Sequence, residues 1–479
     1  MVADHIANRE GPIAILNQAH KFTSSVTGAS GTHCCLVCRN IKNMEPEKLA
    51  GHAYFKHYAL AYPYEFHRHD AESFWKLVDE VHAKAAGLAK TPRKQLQSDS
   101  GIVWNPHGIL VDEYLRNVFC PATHTYFDPM HCLCASSGVS QYHLNGFAND
   151  YVVAGGRLQD LDLFQRSIIW PPGKNRALRR RYFEKQVVQK PAEHIKSFAS
   201  DVLSGVLTCL WFCKLILLPK DVMIEHCSAL EMLQMVHDIL FYMGDKAAEL
   251  VDLLESVLVI HHNMFLKLYG ARAAKIKFHL LYHVVDALRR WKRSLNCFPT
   301  ERMHAGPKKL AQHHPKIGAG NLRTDYTLRR CVAEMLDMDD SACSEYFLVA
   351  PKPYPSWRRV LSPLVKGINP MVYALTEISC SFLGRLRSNT LVLFASPSGQ
   401  TSMGQLQFFC HCTSMDSPED FFFALYIRYV QVSDLEWAPC SEPTLVKPCQ
   451  EIRWSLPYVR SSGNRVIPFL PHDELRAAW

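Results

Sequence analysis

Two pairs of metal-competent side chains stand far apart in the chain. They are Cys35-Leu-Val-Cys38 near its start and His279-Leu-Leu-Tyr-His283 deep within it, with Glu301 a little further on. Two thiolates and two imidazoles are a donor set for tetrahedral zinc. The spacing suits both ends: a Cys-x2-Cys turn lets two sulfurs converge on one ion, and histidines at i and i+4 share one face of a helix. A site built from both pairs would tie the first folded segment to the segment presenting Glu301. Taken singly, each pair has a plainer reading, as reduced cysteines in a turn or as histidines packed beneath a helical unit. His33 and Cys34, beside the Cys pair, read as neighbours with no ligand role, although either residue type could substitute as a ligand.

The chain has 479 residues, 48% of them hydrophobic and 20% charged, in the range of soluble globular proteins and long enough for several domains. Its formal charge of +8 is mildly basic. It permits a polyanionic partner without demanding one, so clusters matter more than the sum. The 17 cysteines are odd in number and irregularly spaced, which points to free thiols plus a metal site in a reducing compartment, nucleus or cytoplasm. The first residues, MVADHIANREGP, lack the apolar core of a secretory signal. Val202–Leu218 is the stretch most like a membrane span, but Lys214 interrupts it and Pro219 ends it, so it reads as a buried core helix. No membrane partner is expected. No phosphate loop, Ser-His-Asp pattern or dinucleotide fingerprint is present, so no small-molecule substrate is suggested.

The elements that must position the two pairs follow from pattern and punctuation. A helix-like stretch from Ile13 leads into the turn-forming run Thr27-Gly-Ala-Ser-Gly-Thr32, chemistry suited to a tight knuckle before the cysteines. Residues 50–100 read as helical, and 101–118 as strand or turn. Residues 191–293 read as four apolar-striped helices, with Pro191 opening the first, Pro219 breaking it, Gly270 closing the third, and the fourth, Ala274 to Arg293, carrying the His pair. Further helical segments are expected over 294–349. A Pro-rich shift near Ala350–Pro363 marks a transition over 350–390. Beyond it, LVLF at 391–394, QLQFFCH at 405–411, FFFALYIRYVQV at 421–432 and RVIPFL at 465–470 read as strands of a small antiparallel barrel or sandwich over 391–479. The basic runs Lys174 to Arg181 (with Arg179, Arg180 and Arg181) and Arg289, Arg290, Lys292, Arg293 around Trp291 suit contacts to a phosphate backbone, though solvated helix faces carry such runs too.

Four strings in order, GASGTHCCLVCRN (28–40), FDPMH (127–131), KIKFHLLYH (275–283) and FPTERMHA (298–305), resemble the CACTA/En-Spm and Plavaka group of cut-and-paste DNA transposases. The layout is also similar to the V(D)J recombinase and Transib transposases, in which a two-Cys, two-His zinc site sits beside the last catalytic acid. The resemblance spans roughly residues 1–335 as sparse motifs in order.

It implies an α+β, mostly helical chain. Residues 1–190 would hold a partial RNase H-like core, 191–293 a large helical insertion, and the C-terminal region a small antiparallel β domain. It implies structural zinc on Cys35, Cys38, His279 and His283, and Mg²⁺ or Mn²⁺ as the ancestral catalytic ions. DNA is the implied ancestral partner, with oligomerisation allowed. Residue by residue, Asp4 matches the second catalytic acid, Glu301 the last, and Asp128 and His131 an Asp-x2-His element of structural or accessory role. Read alone, Asp4 is a helix N-cap and Glu301 a solvated acid at a helix start. The family's first Asp lies upstream of the second, and the chain begins three residues before Asp4. The expectation is therefore a transposase-derived remnant of a DNA strand-cleavage core, N-terminally truncated and catalytically incomplete alone. The alternative is a non-catalytic, zinc-stabilised scaffold binding DNA or protein.

Overall fold

A computed structural model describes residues 15–16, 31–42, 56–57, 62–135, 137–171, 178, 180–190, 192–294, 346–348, 352–353, 371–375, 377–380, 384–395, 401–413, 421–440, 445–472 and 475. The chain divides into two compact units. The first joins Met1–Leu158 to Phe183–Cys297, and the second joins Gln159–Tyr182 to Phe298–Trp479. Asp4, Arg179 and Glu301 lie outside the described residues.

The first unit is helical. Three two-residue strands come early: β1 (Ile15–Leu16), β2 (Ile41–Lys42) and β3 (Lys56–His57), followed by β4 (Thr125–Tyr126). They pair in parallel as β1 with β4 and β2 with β3. Ile15–Leu16 therefore extends where a helix was expected; its partner strand, more than a hundred positions away, is invisible to local periodicity. The helices before β4 are α1 (Ala71–Ala86), α2 (Lys90–Ser100), α3 (Glu113–Val118) and α4 (Pro121–His124). The third replaces the strand or turn read over 101–118. Its start is fixed by Asp112, whose carboxylate accepts from Leu115 N–H at 2.9 Å, a cap that the alternation of the segment hides.

After β4 come α5 (Pro129–Leu133), α6 (Val139–Val153), α7 (Leu158–Ser167), nearly all of which belongs to the second unit, then α8 (Tyr182–Gln186), α9 (Ala199–Phe212), α10 (Ile224–Tyr242), α11 (Val251–Tyr269) and α12 (Ile276–Trp291). The four helices expected over 191–293 correspond to α9 through α12. The first starts at Ala199, after Pro191, and α11 ends at Gly270, whose φ of 75° suits a residue without Cβ. The helix run Ala199–Lys220, which includes a π-helical turn at Cys213–Leu217, is long and apolar enough to cross a membrane, yet most of it is buried inside the protein.

The packing of α6, α9, α10, α11 and α12 buries Val206, Leu230, Leu233, Val236, Leu254, Phe265, Phe278 and Leu281. Each such side chain stabilises the fold by about 1.5–3 kcal/mol when fully buried. Gly146 lets α6 approach α11: a Cβ there would come within 2.7 Å of the Tyr269 ring. Among these apolar residues lie four fully buried histidines. His143 Nδ1 and His261 Nε2 are 3.0 Å apart, His237 Nε2 is 2.7 Å from Ser140 Oγ, and His262 Nδ1 is 3.0 Å from Tyr282 Oη.

The second unit is built on an antiparallel sheet, in agreement with the C-terminal expectation. Its central order is β15 (Ile452–Leu456), β10 (Leu391–Ala395), β11 (Thr401–Thr413), β12 (Phe421–Gln431), β13 (Trp437–Pro439), β17 (Val466–Pro468) and β16 (Tyr458–Arg460). Side branches are β14 (Leu445–Pro448) on β12, β7 (Met371–Leu375) on β11 and β6 (Lys352–Pro353) on β7. A separate sheet joins β5 (Tyr346–Leu348), β8 (Glu377–Cys380) and β9 (Gly384–Arg387). The buried faces meet in a core that includes Val392, Phe394, Leu406, Phe409, Tyr426 and Ile452.

Burial holds the His237 and His261 imidazoles down to about 3, so they are neutral in the folded unit. In the unfolded chain they titrate near the ordinary 6.5. Their contribution to stability is therefore complete above pH 6.5 and is lost as pH falls toward 3. Each histidine removes about 1.4 kcal/mol per pH unit over that window. Urea unfolding followed by circular dichroism at successive pH values should show the midpoint falling steeply below pH 6.5. A flat profile between pH 6.5 and 4 contradicts this account.

Candidate metal centre

The Cys-bearing turn is built by hydrogen bonds reaching to two other segments. His33 N–H donates to Ser98 O at 2.9 Å, and the two His33 ring nitrogens lie 2.8 Å from Cys38 O and Ser100 O. His33 is thus spent on the backbone, which accounts for its having no ligand role. Gly101, with φ of 79°, caps α2 directly against it; a Cβ there would sit 3.0 Å from His33 O. On the other side Arg39 N–H donates to His67 O and His69 N–H to Val37 O, both at 2.8 Å. Asn40 latches the same segment, its Nδ2 donating to Glu65 O and its Oδ1 accepting from His67 N–H. Within the turn, Cys38 N–H points at Cys35 Sγ at 3.3 Å, the fold-back expected where two thiolates face one centre.

The His pair rides on α12, whose buried face includes Phe278, His279, Leu281, Tyr282, His283 and Val285. Its first turn has no side-chain cap. Instead Lys277 Nζ donates at 2.6 Å to both His131 O and Ala135 O, locking α12 to the end of α5. Phe66 packs edge-on against the His279 ring and Phe127 lies 5.2 Å from the His283 ring, so apolar walls hold the imidazoles in place.

These two constructions bring Cys35, Cys38, His279 and His283 together, their ligand atoms all within 4.8 Å of one another. Cys35 Sγ lies 3.1 Å from His279 Nε2 and 3.3 Å from His283 Nε2; Cys38 Sγ lies 3.5 Å from His283 Nε2, and the two Nε2 atoms are 3.0 Å apart. A zinc ion with Zn–S near 2.3 Å and Zn–N near 2.05 Å would space such atoms at about 3.6 Å for S–N and about 3.3 Å for N–N. These four edges are shorter than that tetrahedron's by roughly 0.1 to 0.5 Å. All four residues are at most 2% exposed. The donor set, its convergence and its burial all fit a closed structural zinc site.

The electrostatics of the four groups say the same. Burial raises the Cys35 thiol, but a hydrogen bond from Cys38 and the two imidazoles outweigh it and hold Cys35 well below the ordinary 9.0. Cys38 is pushed up by burial and then by the Cys35 thiolate. Burial also pulls His283 down, yet the Cys35 charge and a hydrogen bond to Asp286 lift it to about 9. The centre is thus organised around one thiolate and carries protons on Cys38 and His283 that a metal must displace. Metal affinity therefore rises with pH.

Among the described residues this is the one group of three or more side chains arranged to hold a metal. No carboxylate cluster of the kind Mg²⁺ or Mn²⁺ takes is assembled among them. Asp128 is N-cap of α5: it accepts from His131 N–H at 2.9 Å and pairs with His131 Nδ1, its own side chain wholly buried. The Asp-x2-His element nonetheless adjoins the centre, through Phe127 on His283 and Lys277 on His131 O. Of the basic residues, Arg289 is taken up by Asp252 at 2.8 Å and Glu255 at 3.0 Å. Arg290 donates to Thr123 O. Lys292 and Arg293 are exposed at the end of α12, while Arg180 and Arg181 are exposed in the second unit.

Sequence reasoning did not find Asp286, which meets His283 Nδ1, or Arg68, which grips Asp286. Asp286 follows His283 by three positions on the same helical face, a signal that could have been read. Arg68 had none, because the backbone places it. Comparison with known proteins gives no match to a family model, to a curated protein or to a solved structure.

Purified chain should carry one zinc, and Cys38→Ser or His283→Ala should each lose it. With free zinc a thousandfold above the dissociation constant, chelation should cost the folded unit about 4 kcal/mol. Metal analysis with chemical denaturation checks both, and full zinc content in either variant sinks the assignment.

Proposed function

We propose that this chain is a zinc-stapled module of transposase ancestry, of the CACTA/En-Spm and Plavaka kind, acting on DNA as a scaffold. The single observation that carries the reading is the convergence of Cys35 and Cys38 with His279 and His283, which lie 244 and 248 positions after Cys35. Motif order alone put those residues on a list; their meeting in one buried site supports the shared layout. The zinc would be structural, fixing the orientation of α12 and hence the start of the segment leading to Glu301. The RNase H-like core belongs to this reading, supported by the motif order and by the parallel pair β1–β4 placed just before Asp128.

A specific observation favours scaffold over nuclease. Asp128 spends its buried carboxylate on capping α5 and pairing with His131. Asp4 and Glu301, if they held Mg²⁺ or Mn²⁺, would stabilise in-line phosphoryl transfer. Lys292, Arg293, Arg180 and Arg181 would contribute phosphate contacts, with DNA as partner.

The test is DNA binding at several salt concentrations beside a plasmid-nicking assay with Mg²⁺ or Mn²⁺. The scaffold reading expects affinity that falls linearly on a log–log salt plot, unchanged by Glu301→Ala, and no nicking. Nicking abolished by Glu301→Ala would establish the strand-cleavage reading instead. Absence of any salt-dependent DNA binding contradicts both.

A further inference from the structure

Arg68 and Asp286 lie outside the four-ligand set, and their geometry gives them a definite task. His283 directs Nε2 at the thiols, while its Nδ1 lies 3.2 Å from Asp286 Oδ2. Asp286 is gripped in turn by Arg68, whose Nε and Nη2 donate to its two oxygens at 2.9–3.1 Å. The Arg68 backbone forms an antiparallel bridge with Cys38, itself a ligand, flanked by the hydrogen bonds of Arg39 to His67 and His69 to Val37. One residue is therefore fixed to the Cys turn by its main chain and to the His helix by its side chain. His279 has nothing comparable: its Nδ1 has no hydrogen-bond partner among the described residues, and the Phe66 ring holds it by packing alone.

Resting on the zinc reading above, we propose that Arg68 and Asp286 form a relay that positions His283 and sets how tightly the centre holds its metal. A carboxylate on the far nitrogen of a ligating imidazole fixes its tautomer and strengthens it as a donor. The guanidinium holds that carboxylate in two-pronged geometry and balances its charge. Zinc with two thiolates is neutral, and so is the Asp286–Arg68 pair, so the assembly buries no net charge. The side chains of Arg68 and Asp286 are 40% and 33% exposed, whereas the ligands are closed off. As a surface ion pair alone it would add little to stability; its effect should appear in metal affinity.

The experiment titrates the full chain, stripped of metal, with zinc against a competing chromophoric chelator. It uses wild type, Asp286→Ala, Arg68→Ala and the double variant, with circular dichroism confirming helical content. The relay predicts one zinc per chain throughout and affinity weakened about tenfold to a hundredfold in each single variant. It also predicts a double variant no weaker than Asp286→Ala, because the two residues act in series. Cobalt-loaded protein should keep tetrahedral visible bands, shifted in the variants. If Asp286→Ala does not fold, Asp286→Asn, which retains an acceptor for His283 but lacks the charge that grips Arg68, is expected to weaken affinity by a smaller factor. Wild-type affinity in the soluble single variants, or a double variant losing the product of both effects, overturns the relay while leaving the zinc centre intact. A wild-type chain that takes up no metal overturns the zinc reading and the relay together.

Discussion

Four side chains, two of them 244 and 248 positions after Cys35, meet in a volume that one zinc ion would fill. Joining chain points so distant removes about 5 kcal/mol of conformational freedom from the unfolded chain by the usual loop-closure expression. A structural zinc site in a small peptide is worth roughly 10 kcal/mol or more. A cross-link on this scale would be comparable with the whole net stability of a domain, so with zinc bound the position of α12 relative to the Cys turn would depend on it more than on any single apolar contact.

The surrounding structure is arranged to make that meeting possible. Hydrogen bonds from residues 33–40 to 65–69 and 98–100 preform the turn. Lys277 anchors the uncapped start of α12, and Phe66 and Phe127 wall the imidazoles. Three of the four sequence strings that define the resemblance, around Cys35, Asp128 and His279, thus lie in one neighbourhood of one unit. The same economy explains why Asp128 and His131 belong there: Asp128 caps the start of α5 and pairs with His131 within it, and Lys277 is tied to that helix.

Much of this was legible in the residues. Helical periodicity and the stops at Pro219 and Gly270 placed α9 through α12, and apolar runs rich in aromatic and β-branched residues placed β10, β11, β12 and β17. The Cys and His pairs declared their chemistry by spacing. What remained hidden depended on partners distant in sequence. Ile15–Leu16 is a strand only because Thr125–Tyr126 lies beside it. Arg68 acts through a backbone bridge to Cys38, and no side-chain pattern encodes a bridge. Arg289 looked available for phosphate because Asp252 and Glu255, which neutralise it, come from the preceding helix.

In the function we propose, the cross-link would hold a DNA-directed architecture in register. X-ray absorption at the zinc edge of the purified chain tests that foundation most directly. The account predicts a four-coordinate shell of two sulfurs at about 2.3 Å and two imidazole nitrogens at about 2.0–2.1 Å. A shell of oxygens, a sulfur-only shell, or no bound zinc would contradict it.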